Sequence, residues 1–150
     1  MADEFPDIPR AHHAPHAGHR LAVAPDTLFV YGTLLFPRIL RALLGRAPAR
    51  RPATAPGWRA AALRDRPYPG LVPAAGTVRG RLLTGLTPAE WRLLDDFEDD
   101  DYELRRLHLG EGGYGWAYVW TSEREVLVED WEPGTFAAYQ LEAYAVRLET

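Results

Sequence analysis

Leu28-Phe29-Val30-Tyr31-Gly32-Thr33-Leu34 is a short apolar run that stops at a glycine. Four large side chains in succession predict a strand buried on both faces, and the glycine predicts a tight turn at its end. Pro37 follows three residues after Leu34 and suits the first turn of a helix. Ile39, Leu40, Leu43 and Leu44 then recur at helical spacing, with Gly45 placed to close it. A strand that enters a helix through glycine offers backbone N–H groups to an oxyanion or carboxylate, because glycine permits close approach. It is not a phosphate loop of the Walker type, since no Gly-Lys-Ser/Thr follows.

Downstream of this unit, Arg46 to Pro52 reads as a basic linker, either a phosphate-binding patch or a solvated loop. Ala53 to Leu63 reads as a strand, Tyr68-Pro69-Gly70 as a turn into Leu71-Val72-Pro73, and Gly76 to Leu83 as another strand. Thr87-Pro88-Ala89-Glu90 carries a capping threonine, a first-turn proline and a glutamate three residues after the cap. The helix it opens bears Trp91, Leu94 and Phe97. Leu104 to Leu109 and Tyr114 to Trp120 are joined through Gly110-Glu111-Gly112-Gly113, a hairpin signal. Val126 and Val128 suggest a short strand, and Phe136, Tyr139, Leu141, Tyr144 and Val146 a last helix. Strands outnumber helices and a hairpin is present, so the expected class is α+β. A mixed, strongly curled β-sheet or small barrel with flanking helices is the expected architecture.

Upstream, residues 1–26 carry Pro6, Pro9, Pro15 and Pro25 and few large apolar side chains. They predict a disordered tail, with one domain over residues 27–150. His12, His13, His16 and His19 in that tail are either a loose metal-binding tract or a polar segment without a role.

Composition narrows the function classes. A net charge of −4 argues against a nucleic-acid partner. With no cysteine, thiolate nucleophiles, disulfides and cysteine-bound zinc are excluded, and a reducing cytoplasm is the compatible compartment. No apolar run reaches the ~18 residues of a membrane span, and no signal peptide is legible.

Residues 95–101, Asp95-Asp96-Phe97-Glu98-Asp99-Asp100-Asp101, are acidic at six of seven positions. They fall at a helix C-terminus, where negative charge is unfavourable. Trp91, Leu94 and Glu98 stand at i, i+3 and i+7, one helical face, so Glu98 is expected to point inward and the aspartates toward solvent. A buried carboxyl among like charges should have a raised pKa and is a candidate general acid/base. The alternatives are a structural carboxylate paired with Arg105 or Arg106, and a calcium site. The run lacks the spacing of a calcium-binding helix-loop-helix loop.

Several stretches in order resemble one family. Phe29-Val30-Tyr31-Gly32-Thr33-Leu34, Tyr68-Pro69-Gly70-Leu71-Val72-Pro73, Gly80-Arg81-Leu82, Gly85-Leu86-Thr87 and Leu94-Asp95-Asp96-Phe97-Glu98-Asp99 resemble the gamma-glutamylcyclotransferase-like family. Ala117-Tyr118-Val119-Trp120 and Trp131 are similar to its plant avirulence-induced, gamma-glutamylamine branch. Relatives often show Tyr-x-Arg after the acidic stretch, whereas here Arg105 comes one position later, after Tyr102-Glu103-Leu104. The resemblance implies a cofactor-independent cytoplasmic enzyme of the acyl-transfer or C–N lyase class, with no metal. Its substrate would be a gamma-glutamyl amide or peptide, converted to 5-oxoproline and a free amine. Glu98 would be the acid/base, Gly32, Thr33 and Leu34 the anion-binding turn, and Tyr31, Tyr68 and Tyr102 pocket walls or ordinary core aromatics. The alternatives are removal of a gamma-glutamyl group from a carrier in a biosynthetic pathway, and a non-catalytic binding domain of the same fold.

Overall fold

The computed structural model describes residues 20–150. After a 3-10 turn at Arg20–Val23 the elements run β1 Leu28–Val30, α1 Pro37–Leu44, β2 Arg50–Leu63, β3 Gly70–Leu83, α2 Pro88–Phe97, β4 Tyr102–His108, β5 Tyr114–Trp120, β6 Val126–Asp130, α3 Pro133–Tyr139 and α4 Leu141–Glu149. The six strands form one mixed sheet in the order β4-β5-β1-β3-β2-β6, curled far enough that β5 also pairs with β3. β1 is antiparallel to β3 and parallel to β5. The result is a half-barrel flanked by four helices.

Alternation along the strands builds two cores. Leu28 and Val30 of β1 and Tyr118 and Trp120 of β5 face the helices, where Ile39, Leu94, Phe97, Phe136 and Tyr144 complete the larger cluster. Phe29 and Tyr31, with Ala117 and Val119, face the other way into the curl against Leu71, Leu82 and Leu107. The small residues Ala53, Ala55 and Ala117 on that inner face leave room for the sheet to close on itself.

β2 and β3 are longer than their sequence signals. β2 begins at Arg50, inside the expected basic linker, and β3 runs unbroken through Pro73 from Gly70. Their register shifts between Pro56 and Trp58, where Gly57 at φ 89° supplies the bulge that keeps the ladder in step. Arg46 of that linker is committed to structure: its Nε and Nη2 lie 2.6 and 2.7 Å from the Glu90 carboxylate.

α2 begins as the sequence predicts. Thr87 Oγ1 accepts from Glu90 N–H at 3.1 Å and Glu90 Oε1 accepts from Thr87 N–H at 3.0 Å. The final helix is two helices. Gln140, at φ −131° and ψ −21°, turns the axis between them, so Phe136 and Tyr144 both reach the core and meet edge-on at 5.5 Å.

The domain boundary expected at 26/27 is corrected. Arg20 is buried, 7% exposed, and its side chain is bonded into α2 and the turn after it, so residues 20–26 belong to the folded unit. The Arg20 side chain makes the polar attachment, and Leu21 beside it packs against the larger core. The histidines of the expected tail lie outside the described residues.

Candidate active site

β1 ends at Val30 and hands the chain through Tyr31 and Gly32 to a 3-10 turn at Thr33–Leu35. Inside that turn Leu35 N–H donates to Gly32 O at 2.9 Å and Phe36 N–H to Thr33 O at 3.3 Å. The N–H groups of Gly32, Thr33 and Leu34 precede the first of these bonds, so the turn itself cannot use them. Gly32 has φ −125°, outside the left-handed region that would demand glycine. The requirement is spatial: a Cβ at Gly32 would stand 2.8 Å from the Pro69 ring carbons.

Across the cleft stands Glu98. It lies one residue past α2, in extended conformation at φ −77° and ψ 140°, and its N–H closes the helix on Leu94 O and Asp95 O, both at 3.2 Å. The expected placement on the face of the helix is therefore corrected, although the side chain does turn inward and is 8% exposed. Glu98, the Gly32-Thr33-Leu34 turn, Tyr31, Tyr68, Pro69, Phe97, Tyr102 and Tyr118 line one cleft. Loss of hydration pushes the Glu98 carboxyl up to about 8. Arg20 pulls it back, and Asp95 and Asp99 push it further up.

The aspartates divide in a way the charge run conceals. Asp96 and Asp100 are exposed, as expected. Asp95 is not: it is 2% exposed, with Tyr118 Oη donating to its Oδ1 at 2.6 Å and Arg20 Nε 3.0 Å from the same oxygen. Asp99 accepts from Tyr68 Oη at 2.8 Å and from Asp101 N–H at 2.9 Å. Both act as braces of the turn that carries Glu98. Arg105 and Arg106, the partners that the alternative of a structural carboxylate would give Glu98, are exposed on β4, with guanidinium carbons 6.0 Å from the Trp58 ring and 4.5 Å from the Tyr114 ring. The cation acting on Glu98 is Arg20.

The cleft's aromatic walls are fixed by their hydroxyls. Tyr31 Oη donates to Tyr118 O at 2.5 Å, and Tyr102 Oη donates to Pro69 O. Tyr144 of α4 is fully buried, and the Glu98 charge acts on its phenol. Burial raises the pKa of Tyr31, Tyr102, Tyr118 and Tyr144, and the Glu98 charge raises each further. Glu98 thus sits within a ring of neutral phenols. Asp95 could have been read as inward from its i+4 spacing to Trp91, and Tyr144 from the Phe136/Tyr144 pair. Arg20 had no periodic signal.

A half-barrel with this cleft defines a gamma-glutamyl cyclotransferase-like fold. A solved protein titled gamma-glutamyl cyclotransferase superposes with a TM-score of 0.55 over 83% of this chain and 86% of its own, at 13% identity, a likeness of fold. The sequence is more specific: the family described as gamma-glutamyl cyclotransferase, AIG2-like, matches residues 28–133, and the chain belongs to it. AIG2-like protein D of Arabidopsis thaliana is 39% identical over 88 residues, 58% of either chain. A solution structure of another Arabidopsis thaliana protein is 26% identical, with a TM-score of 0.62 over 81% of this chain and 87% of that one. The chain spans 58% and 48% of the length of the AIG2-like proteins D and C that it matches.

Proposed function

We propose that the protein cyclises a gamma-glutamyl amide or peptide to 5-oxoproline and releases the free amine. The observation that carries this reading is the placement of one buried carboxyl, Glu98, in the same cleft as the backbone of Gly32, Thr33 and Leu34. The substrate's α-nitrogen attacks its own γ-carbonyl carbon, a C–N bond closes the five-membered ring, and the original amide C–N bond breaks. Glu98 carries two protons in turn from the α-ammonium nitrogen to the departing nitrogen, which leaves as an ammonium while the ring keeps one N–H, so charge and protons balance without a further reactant. The turn N–H groups bind the substrate carboxylate or the developing oxyanion. Tyr31, Tyr68 and Tyr102 hold the glutamyl chain curled, which supplies the proximity term.

A free amine of pKa about 8 is largely protonated at neutral pH, so the ring closure needs a base matched to it. A carboxyl pushed up to about 8 is so matched. An ammonium group brought beside it favours the ionised carboxylate, and the two share one proton. The experiment is a screen of gamma-glutamyl amines and dipeptides for 5-oxoproline release by the wild-type chain and Glu98→Gln. Release by the first and not by the second supports the reading. Silence across the whole panel, with 5-oxoproline still bound, points to the non-catalytic domain. Activity only on a carrier-linked substrate points to the biosynthetic alternative.

A further inference from the structure

Arg20 lies outside the stretch matched to the family, ahead of β1, yet its side chain reaches the turn that bears Glu98. The guanidinium is almost wholly spent on that turn. Nη1 donates to Asp99 O at 2.9 Å and Tyr102 O at 3.0 Å, and Nη2 to Asp95 O at 2.7 Å and Glu98 O at 3.2 Å. Nε lies 3.0 Å from Asp95 Oδ1, and the guanidinium carbon stands 5.2 Å from the centre of the Tyr118 ring. Carbonyls past the last turn of a helix are otherwise orphaned and carry its negative end, so a cation there both satisfies and neutralises them. The planar fork of arginine suits this; a lysine ammonium could not reach four carbonyls at once.

We propose that Arg20 is the positioning residue for Glu98: it fixes the backbone from Asp95 to Tyr102 and sets a permanent positive charge beside the acid. The proposal rests on Glu98 being the acid/base. The groups facing Glu98 are Arg20, Asp95 and Asp99, the phenols of Tyr31, Tyr102 and Tyr118, and Tyr144 from α4. Arg20 is the cation among them. With it in place the Glu98 proton is lost near neutral pH; without it the remaining neighbours are anionic or neutral and all favour the protonated acid.

The test uses the full chain with Arg20→Gln and Arg20→Lys, reading the Glu98 carboxyl by carbon-13 NMR across pH and the pH profile of kcat/KM. In Arg20→Gln the Glu98 titration and the rising limb of kcat/KM should both move up by about one pH unit. In Arg20→Lys the charge stays and the fork is lost, so the limb should hold its place while kcat falls about tenfold. A purely structural Arg20 would lower stability and leave both midpoints fixed in both variants, and that result overturns the proposal. Should Arg20→Gln fail to fold, Arg20→Lys decides alone: an unmoved limb with reduced kcat supports the clamp, and full activity sinks it. The NMR titration needs no substrate. A wild type inactive on every gamma-glutamyl compound therefore defeats the functional reading, while the movement of the Glu98 titration in Arg20→Gln still judges Arg20.

Discussion

Glu98 stands one residue beyond α2, and that offset decides how its chemistry can be tested. A carboxyl whose pKa is raised from 4.5 to about 8 keeps its proton in the folded chain over a range where the unfolded chain has released it. The folded state then binds more protons than the unfolded, so stability falls as pH rises from about 4.5 to about 8 and levels off above. Glutamine does not titrate. Glu98→Gln should therefore gain stability relative to wild type as pH rises from about 5 to about 8. The gain should reach a few kcal/mol, since a one-proton difference between the two states is worth about 1.4 kcal/mol for every pH unit it spans. Urea unfolding at several pH values measures it, and a flat difference would mean that Glu98 is ionised in the folded chain throughout. In activity the same variant should lose ~10²–10⁴ in turnover. Asp95 behaves otherwise: its carboxylate is buried against Arg20 and Tyr118, so Asp95→Asn should destabilise by about 3–5 kcal/mol by leaving a buried cation without its anion. Exposed Asp96 and Asp100 should tolerate Asn within about 0.5 kcal/mol. An Asp96→Asn variant as slow as Glu98→Gln would show that the wrong carboxylate has been chosen.

The elements differ in how openly the sequence announces them. α2 is marked by Thr87, Pro88 and Glu90, each a local signal for a helix start, and all three act as their types predict. Thr87→Ala should accordingly lower stability by about 1 kcal/mol in urea unfolding while leaving the pH profile unmoved, since the cap is a full helix length from Glu98. An altered profile would mean that the start of α2 reaches the acid. Where the helix stops is far less legible. Four acids follow Phe97 and no glycine or proline ends the run, so periodicity carries the pattern one residue too far, onto Glu98. What ends it is a set of distant contacts: Arg20 on the carbonyls, Tyr118 on Asp95 and Tyr68 on Asp99. The same division runs through the site. Glycine turns and capping boxes are local, and the strand, the turn at Gly32 and the inward acid were all readable. Arg20 gains its place from partners 75 to 82 residues away, which periodicity cannot see.

Across the whole molecule, both ends of the described chain converge on a site whose family match covers only residues 28–133. Tyr144 arrives from α4, held against α1 by Arg38, which bonds Glu142 at 3.0 Å and also Glu149. Arg20 arrives from ahead of β1. The two contributions differ in kind. Tyr144 adds a buried ring to the larger core and a hydroxyl beside Thr33, whereas Arg20 adds charge to a turn that is otherwise acidic. This changes what truncation should do. Phe5 and Ile8 are the only large apolar side chains between Ala2 and His19, so composition alone predicts that removing residues 1–18 leaves stability and turnover close to those of the full chain. Removing residues 1–24 also takes Arg20, and with it the cation that Asp95 is buried against. Breaking a buried pair from one side typically destabilises by about 3–5 kcal/mol, because the remaining charge keeps its desolvation penalty. The longer truncation should therefore unfold at a markedly lower urea concentration than the shorter one, and adding Asp95→Asn to it should restore part of the difference. That restoration is the informative result, since loss of general packing by residues 20–24 would not be relieved by neutralising one carboxylate. If the two truncations unfold together, the 20–26 segment contributes nothing that the half-barrel needs, and Asp95 is stabilised by Tyr118 alone.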